Sequence, residues 1–249
     1  LFDLSIAHIV LVVLCAVFIG VSKTGIPTLN ILVVAVMASI FPARESIGIV
    51  LPMLIIGDIV AVTYYRRSVD WKTLLSLLPW VLGGLLAGFV LLYFIVTSRP
   101  IEILLGVIIL FMVSIQISRE RWGINKLQAV PKTRWFVALM GTLAGFTTMI
   151  GNAAGPIMAL FLLAISLSKK EFIGTGAWFY LAVNLIKVPM YAGLGLITWE
   201  TLSFNAWLIP AILGGTALGI KVLPFIPQKI FNIVVLLLSL VGGMQLVIP

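Results

Sequence analysis

The chain is poor in the residues from which most enzymes and secreted domains are built. Its 249 residues include one cysteine, Cys15, and one histidine, His8. A lone cysteine inside an apolar run excludes a disulfide framework. With a single histidine beside it, neither a metal cluster nor a nucleophile–base pair can be assembled, so no metal, cofactor or catalytic residue is expected. Charge is scarce too: 10% of residues are Asp, Glu, Lys or Arg, and eight of them are acidic. No nucleotide-binding motif is present, which removes ATP as a direct energy source.

Apolar residues are what the chain has in excess: 62% of the total, with a mean hydropathy of +1.24. A soluble domain of this length could not hide so much apolar surface, so the sequence reads as an all-α polytopic membrane protein. A β-barrel would alternate along short segments, whereas these runs are continuous for about 15 to 25 residues. The net charge of +8 would point to nucleic acid in a soluble protein. Here the basic residues cluster between apolar runs, which makes the lipid bilayer the partner and excludes a nucleic-acid role.

Ten apolar segments are expected, at roughly 4–21, 28–41, 47–65, 73–97, 101–118, 135–150, 156–168, 173–192, 202–221 and 229–247. The second and seventh are short, about 20 Å at 1.5 Å per residue. Each directly follows a break, so both read as half-helices or arms of hairpins that enter the membrane. The first run has neither a basic flank nor a cleavage pattern and reads as a span, not a signal peptide.

An internal repeat accounts for the pairing. Ala43-Arg-Glu-Ser-Ile-Gly48 matches Lys169-Lys-Glu-Phe-Ile-Gly174, and Asp58 falls opposite Asn184. Trp71-Lys-Thr-Leu74 matches Trp199-Glu-Thr-Leu202, and Leu82-Gly-Gly-Leu-Leu-Ala-Gly88 matches Leu213-Gly-Gly-Thr-Ala-Leu-Gly219. With five segments in each half, the second half must run upside down. The expected organisation is a first repeat at 1–118, a cytoplasmic linker at 119–134 and a second, inverted repeat at 135–249. Alternating loops then place twelve of the sixteen Lys and Arg on one side and two on the other, with Lys23 and Lys187 inside the pattern. The basic side is cytoplasmic, which puts both termini outside.

The two breaks carry the candidate chemistry. Gly20-Val-Ser-Lys-Thr-Gly-Ile-Pro-Thr-Leu-Asn30 interrupts the first half, and Gly145-Phe-Thr-Thr-Met-Ile-Gly-Asn-Ala-Ala-Gly-Pro156 the second. A helix that starts inside the membrane offers unpaired N–H groups and a positive dipole end, an anion site without any charged side chain. Pro27 and Pro156 suit a first helical turn, and Gly25, Gly151 and Gly155 permit close backbone approach. Thr24, Asn30, Thr147, Thr148 and Asn152 add hydroxyl or amide donors, and Ala154 completes the second opening. Two such starts facing each other would converge on one oxyanion. The alternative is that glycine and proline only permit tight packing or a kink.

Lys23, placed in the first break, is costly at depth unless paired or facing water; otherwise it snorkels to the surface. Asp58 and Lys187 are the acid and the base well inside segments. Depth counting leaves them about 10 Å apart along the membrane normal, so a direct pair needs the lysine to bend. Asp58 either binds a coupling proton, holds Lys187, or merely caps a packed polar cluster; Asn184, its repeat counterpart, is grouped with these two for coupling or gating. Gly84-Leu-Leu-Ala-Gly88 and Gly215-Thr-Ala-Leu-Gly219 are both GxxxG, read as close packing of the two halves ahead of a homodimer interface. Trp71, Trp80 and Trp199 sit near segment ends as an aromatic belt would; Trp178 and Tyr180 lie deeper.

These residues resemble the sulfite exporter TauE/SafE family, also called the 4-toluene sulfonate uptake permease family. The resemblance runs through Gly20-Val-Ser-Lys-Thr-Gly-Ile-Pro27, Ile56-Gly-Asp-Ile-Val-Ala-Val-Thr-Tyr-Tyr-Arg-Arg67, Asn152-Ala-Ala-Gly-Pro156, Lys170-Glu-Phe-Ile-Gly-Thr-Gly-Ala-Trp178 and Asn184-Leu-Ile-Lys-Val-Pro189. It implies a bacterial inner-membrane, multi-pass transporter that moves sulfite, sulfoacetate or related organosulfur anions outward. The resulting expectation is secondary transport of a small sulfur anion by alternating access. A passive anion channel, or transport of another small oxyanion or carboxylate, is the alternative.

Overall fold

Backbone immersed in hydrocarbon has no water to bond with, so it must satisfy its own N–H and C=O groups within each segment. In the computed structural model, which describes residues 4–24, 29–122, 133–165, 167–222, 233, 237, 240–244 and 246–248, the apolar runs accordingly become helices. Among the described residues these are α1 (Ile6–Thr24), α2 (Leu29–Ile40), α3 (Ala43–Tyr65), α4 (Trp71–Phe94), α5 (Ser98–Trp122), α6 (Arg134–Gly151), α7 (Gly155–Ala164), α8 (Lys169–Gly193) and α9 (Trp199–Val222). Residues 240–244 are helical as well and lie against α5, where a Cβ on Gly106 would come within 2.8 Å of the Gly243 carbonyl. Most of the rest of the expected tenth segment, and most of the linker, fall outside the described residues.

Among the described residues four helices, α1, α3, α4 and α9, are long and apolar enough to cross a membrane. The two short runs are short helices: α2 has 12 residues and α7 has 10. Starts are marked by capping residues. The Asp70 carboxylate accepts from the N–H of Lys72 and Thr73 at the head of α4, and the Thr133 hydroxyl accepts from the N–H of Phe136 at the head of α6. Ser168 and Glu171 form a reciprocal capping box on α8. Pro52, Pro79, Pro189 and Pro210 lie inside helices, as membrane segments allow when neighbours take up the freed carbonyl.

Glycines set how the helices meet, and their contacts come in exchanged pairs. A Cβ on Gly20 of α1 would sit 2.1 Å from the Ile212 carbonyl of α9, and one on Gly215 of α9 would sit 2.1 Å from the Val17 carbonyl of α1. Likewise Gly84 of α4 meets the Thr142 carbonyl of α6 at 2.1 Å, and Gly145 of α6 meets the Val81 carbonyl of α4 at 2.2 Å. Gly48 of α3 abuts the Leu196 carbonyl before α9, while Gly174 of α8 abuts the Ser68 carbonyl before α4. Gly84 and Gly215 of the two GxxxG motifs thus pack inside the chain. Each contact joins the first half of the chain to the second.

Helix α3 lies at the centre, with Ile49, Leu51, Met53 and Asp58 fully buried, and it packs against α1, α2, α5, α8 and α9. Helices α1, α4 and α9 turn apolar side chains outward, among them Val10, Leu14, Leu75, Leu86, Val90, Leu213 and Leu218. In water that surface would be unstable; against lipid tails it is the natural exterior. The chain is a multi-pass, all-helical membrane protein.

Candidate functional site

The centre of α3 carries Asp58 and the facing stripe of α8 carries Tyr180, Asn184, Lys187 and Tyr191. Spacings of four, three and four residues put all four on one helical face. The last turn of α1 brings in Lys23, whose Nζ lies 2.6 Å from Asp58 Oδ1 and 4.7 Å from the Tyr180 ring centroid. Gly57 makes room for it: a Cβ there would lie 3.0 Å from the Lys23 Cγ. The other Asp58 oxygen accepts from Asn184 Nδ2 at 2.7 Å.

Lys187 extends the chain of contacts. Its ammonium donates to Asn152 Oδ1, to Thr148 Oγ1 at 3.3 Å and to Asn184 Oδ1 at 3.4 Å, and sits 5.1 Å from the Tyr191 ring centroid. Lys187 is 0% exposed. Among the described residues every acceptor on it is neutral. The Tyr191 hydroxyl is spent on the Met149 carbonyl at 2.6 Å.

Asn152 decides how α6 ends. It adopts φ 53°, the left-handed conformation that asparagine tolerates better than most residues. The N–H of Asn152 and that of Ala153 then bond back to the Thr148 and Thr147 carbonyls, closing the helix. The side chain is free to turn inward: Nδ2 donates to the Ile47 carbonyl at 3.0 Å while Oδ1 faces Lys187. Its own carbonyl accepts from Asn30 Nδ2, in the first turn of α2, at 2.6 Å. The starts of α2 and α7 therefore meet at the end of α6. Asn30 Oδ1 is buried there without a partner among the described residues.

Several sequence expectations change in detail. Lys23 and Thr24 belong to the last turn of α1, not to the break. Asp58 pairs with Lys23, and Asn184 stands between it and Lys187, so no bent lysine is needed. Asn152, expected as a donor to an anion, gives its amide hydrogens to Ile47 and its oxygen to Lys187. Thr147 donates to the Leu143 carbonyl of its own helix, whereas Thr148 reaches Lys187. Ala154 is buried, its carbonyl accepting the Met158 N–H, and the Gly155 carbonyl accepts from the Tyr180 hydroxyl at 3.5 Å. Gly25 and Pro27 lie outside the described residues, as do the side chains of Thr24 and Pro156; the backbone of Pro156 is in the first turn of α7. Tyr191 was missed, although its four-residue spacing from Lys187 is visible in the sequence.

A family model, Sulfite exporter TauE/SafE, matches residues 9–246, nearly the full length. The chain belongs to the TauE/SafE family. Comparison with curated proteins and with solved structures gives no match. TauE/SafE membership makes the chain a membrane transporter of the sulfite-exporter type, not an enzyme, and the buried polar cluster lies within the span that the family defines.

Proposed function

We propose that the chain exports a small sulfur oxyanion, sulfite or an organosulfonate such as sulfoacetate, across the bacterial inner membrane by alternating access. The observation that carries this reading is the charge count of the central cluster. Lys23 and Asp58 offset each other, and Lys187 is left fully buried, its Nζ bonded among the described residues only to neutral oxygens. Buried charges are ordinarily paired. An anion that enters between Lys187, Asn152 and Thr148 supplies the missing partner. The start of α7, three residues beyond Asn152, adds a positive dipole end to the same spot.

In this reading Lys23, Thr24, Gly25, Pro27 and Asn30 of the first half and Thr147, Thr148, Asn152, Ala154, Gly155 and Pro156 of the second surround the substrate. Asp58, Asn184 and Lys187 couple or gate. The halves, 1–118 and 135–249, are inverted repeats joined by the basic linker, with both termini outside. The exchanged glycine contacts support this, since a two-fold rotation of one half onto the other would generate such pairs. Substrate sites at repeat interfaces near the midplane are what such folds provide. Asp58 and Lys187 are fully buried, which fits an occluded arrangement. Moving the α1–α9 pair against the α4–α6 pair would open it to one side at a time.

The test is counterflow of labelled sulfite and sulfonates in proteoliposomes, beside calorimetric binding. Saturable uptake accelerated by internal substrate, lost in Lys187→Ala, is expected. Non-saturating flux without counterflow would make the protein a channel, and unchanged affinity in both Lys23→Ala and Lys187→Ala would move the site elsewhere.

A further inference from the structure

Away from the central cluster, a half-open cavity of about 530 Å³ lies between α4 and α6, lined by Lys72, Thr73, Ser76, Trp80, Arg134 and Val137. Its shape follows from the glycines. At Gly141, where a Cβ would lie 2.8 Å from the Trp80 Cβ, and onward through Gly84 and Gly145, the helices run in close contact. Toward their starts at Trp71 and Arg134 there is no further glycine, and the two helices leave a cleft. On α4 the lining runs from Lys72 through Ser76 to Trp80, one face over about 12 Å at 1.5 Å per residue.

The mouth is cationic and the floor apolar. Both helices begin at the mouth, so two positive dipole ends coincide with Lys72 and Arg134. Both side chains are exposed, and neither forms an ion pair among the described residues. The nearest acid in sequence, Asp70, is engaged as the α4 cap, accepting from the N–H of Lys72 and Thr73 and from the Thr73 hydroxyl. The fold does not impose the cation: the matching tetrapeptide at the head of α9 has Glu200 where α4 has Lys72. Trp80 is 46% exposed and Trp135, beside Arg134, is 87% exposed, the aromatic placement of a membrane–water interface.

We propose that this cleft binds the headgroup of an anionic phospholipid, its phosphodiester on Lys72 and Arg134 and the first part of an acyl chain on Trp80 and Val137. A free phosphate shares the headgroup chemistry, but an apolar floor would add nothing to its binding. The experiment uses the full-length protein, delipidated in a neutral detergent, with melting temperature and lipid adducts in native mass spectrometry as readouts. Phosphatidylglycerol should stabilise and stay bound more than phosphatidylcholine of the same chains, and inorganic phosphate should do neither. Lys72→Gln with Arg134→Gln should erase the preference, a loss of about tenfold or more if each cation near the surface contributes its usual share. Exchanging the two residues, Lys72→Arg with Arg134→Lys, should retain it, as should Glu200→Gln at the other end. Equal response to both lipids, a preference that survives the double neutral variant, or a shift with inorganic phosphate matching that with lipid would each overturn the assignment.

Discussion

Asp58 and Asn184, 126 positions apart, share a 2.7 Å hydrogen bond at the centre of the molecule. One carboxylate and one amide face each other there, where two copies of either would not serve. Two carboxylates there would repel, and two amides would leave Lys23 without a counter-charge. The pairing makes the cluster asymmetric and leaves Lys187 with the surplus positive charge.

Lys187→Met should abolish anion binding with little effect on folding. The variant removes a buried ammonium, which is often neutral or stabilising. It also leaves Asn152 Oδ1 and Thr148 short of a donor, at a cost of about 1–3 kcal/mol. The expectation is a melting temperature near that of the parent and no heat of binding for sulfite or sulfonates. Retained binding would remove Lys187 from the site.

Asn152→Asp supplies the counter-charge from within. Lys187 would then be neutralised permanently, and the introduced carboxylate should compete with any bound anion. Binding and transport should fall together, while the new ion pair with Lys187 is offset in stability by the Ile47 carbonyl, which loses its amide donor and faces a carboxylate oxygen instead. Asn152→Gly separates the backbone role from the side-chain role: glycine adopts the left-handed turn readily, so the fold should persist while affinity drops.

Asp58→Asn raises the cluster by one positive charge. Without ligand, Lys23 loses its partner, a destabilisation of roughly 3 kcal/mol by analogy with broken buried pairs. Added anion should restore part of it. The variant has one negative charge fewer than the parent, so its preference should shift toward dianions, read by comparing methanesulfonate with sulfate in the same calorimetric assay. An unchanged ranking would show that the count of charges does not set selectivity.

Adjacent glycines predict opposite outcomes. Gly84→Ala and Gly215→Ala each push a Cβ to 2.1 Å from a carbonyl oxygen of the facing helix, whereas Gly83 and Gly214 have nothing within 4 Å. The first pair should lower the melting temperature, with overpacking costs of about 1–3 kcal/mol. Gly83→Ala and Gly214→Ala should be neutral or stabilising by up to about 1 kcal/mol through helix propensity.

Helix positions were legible in the sequence because long apolar runs in lipid have one available conformation. The two short helices were legible as well, since the breaks before them hold glycine and proline. What could not be read was which charges meet. Lys23 looked like a loop residue because a lysine beside glycine resembles the end of an apolar run, yet α1 continues one turn further and delivers it to Asp58. Asn152 looked like a donor because its neighbours mark a helix start. Its left-handed backbone is set by how α6 ends, and that turn points the side chain at Lys187 instead. Pro79 and Pro210 stand in step with the paired GxxxG motifs and extend the repeat in the sequence.

The exchanged glycine faces also constrain how the protein is made. During synthesis α1 emerges long before the helix that covers its Gly20 face, α9. Until then a groove of bare backbone sits open to lipid or to other chains. The groove on α1 can therefore close only once α9 has entered the bilayer, and each half translated alone should be incomplete until it finds the other.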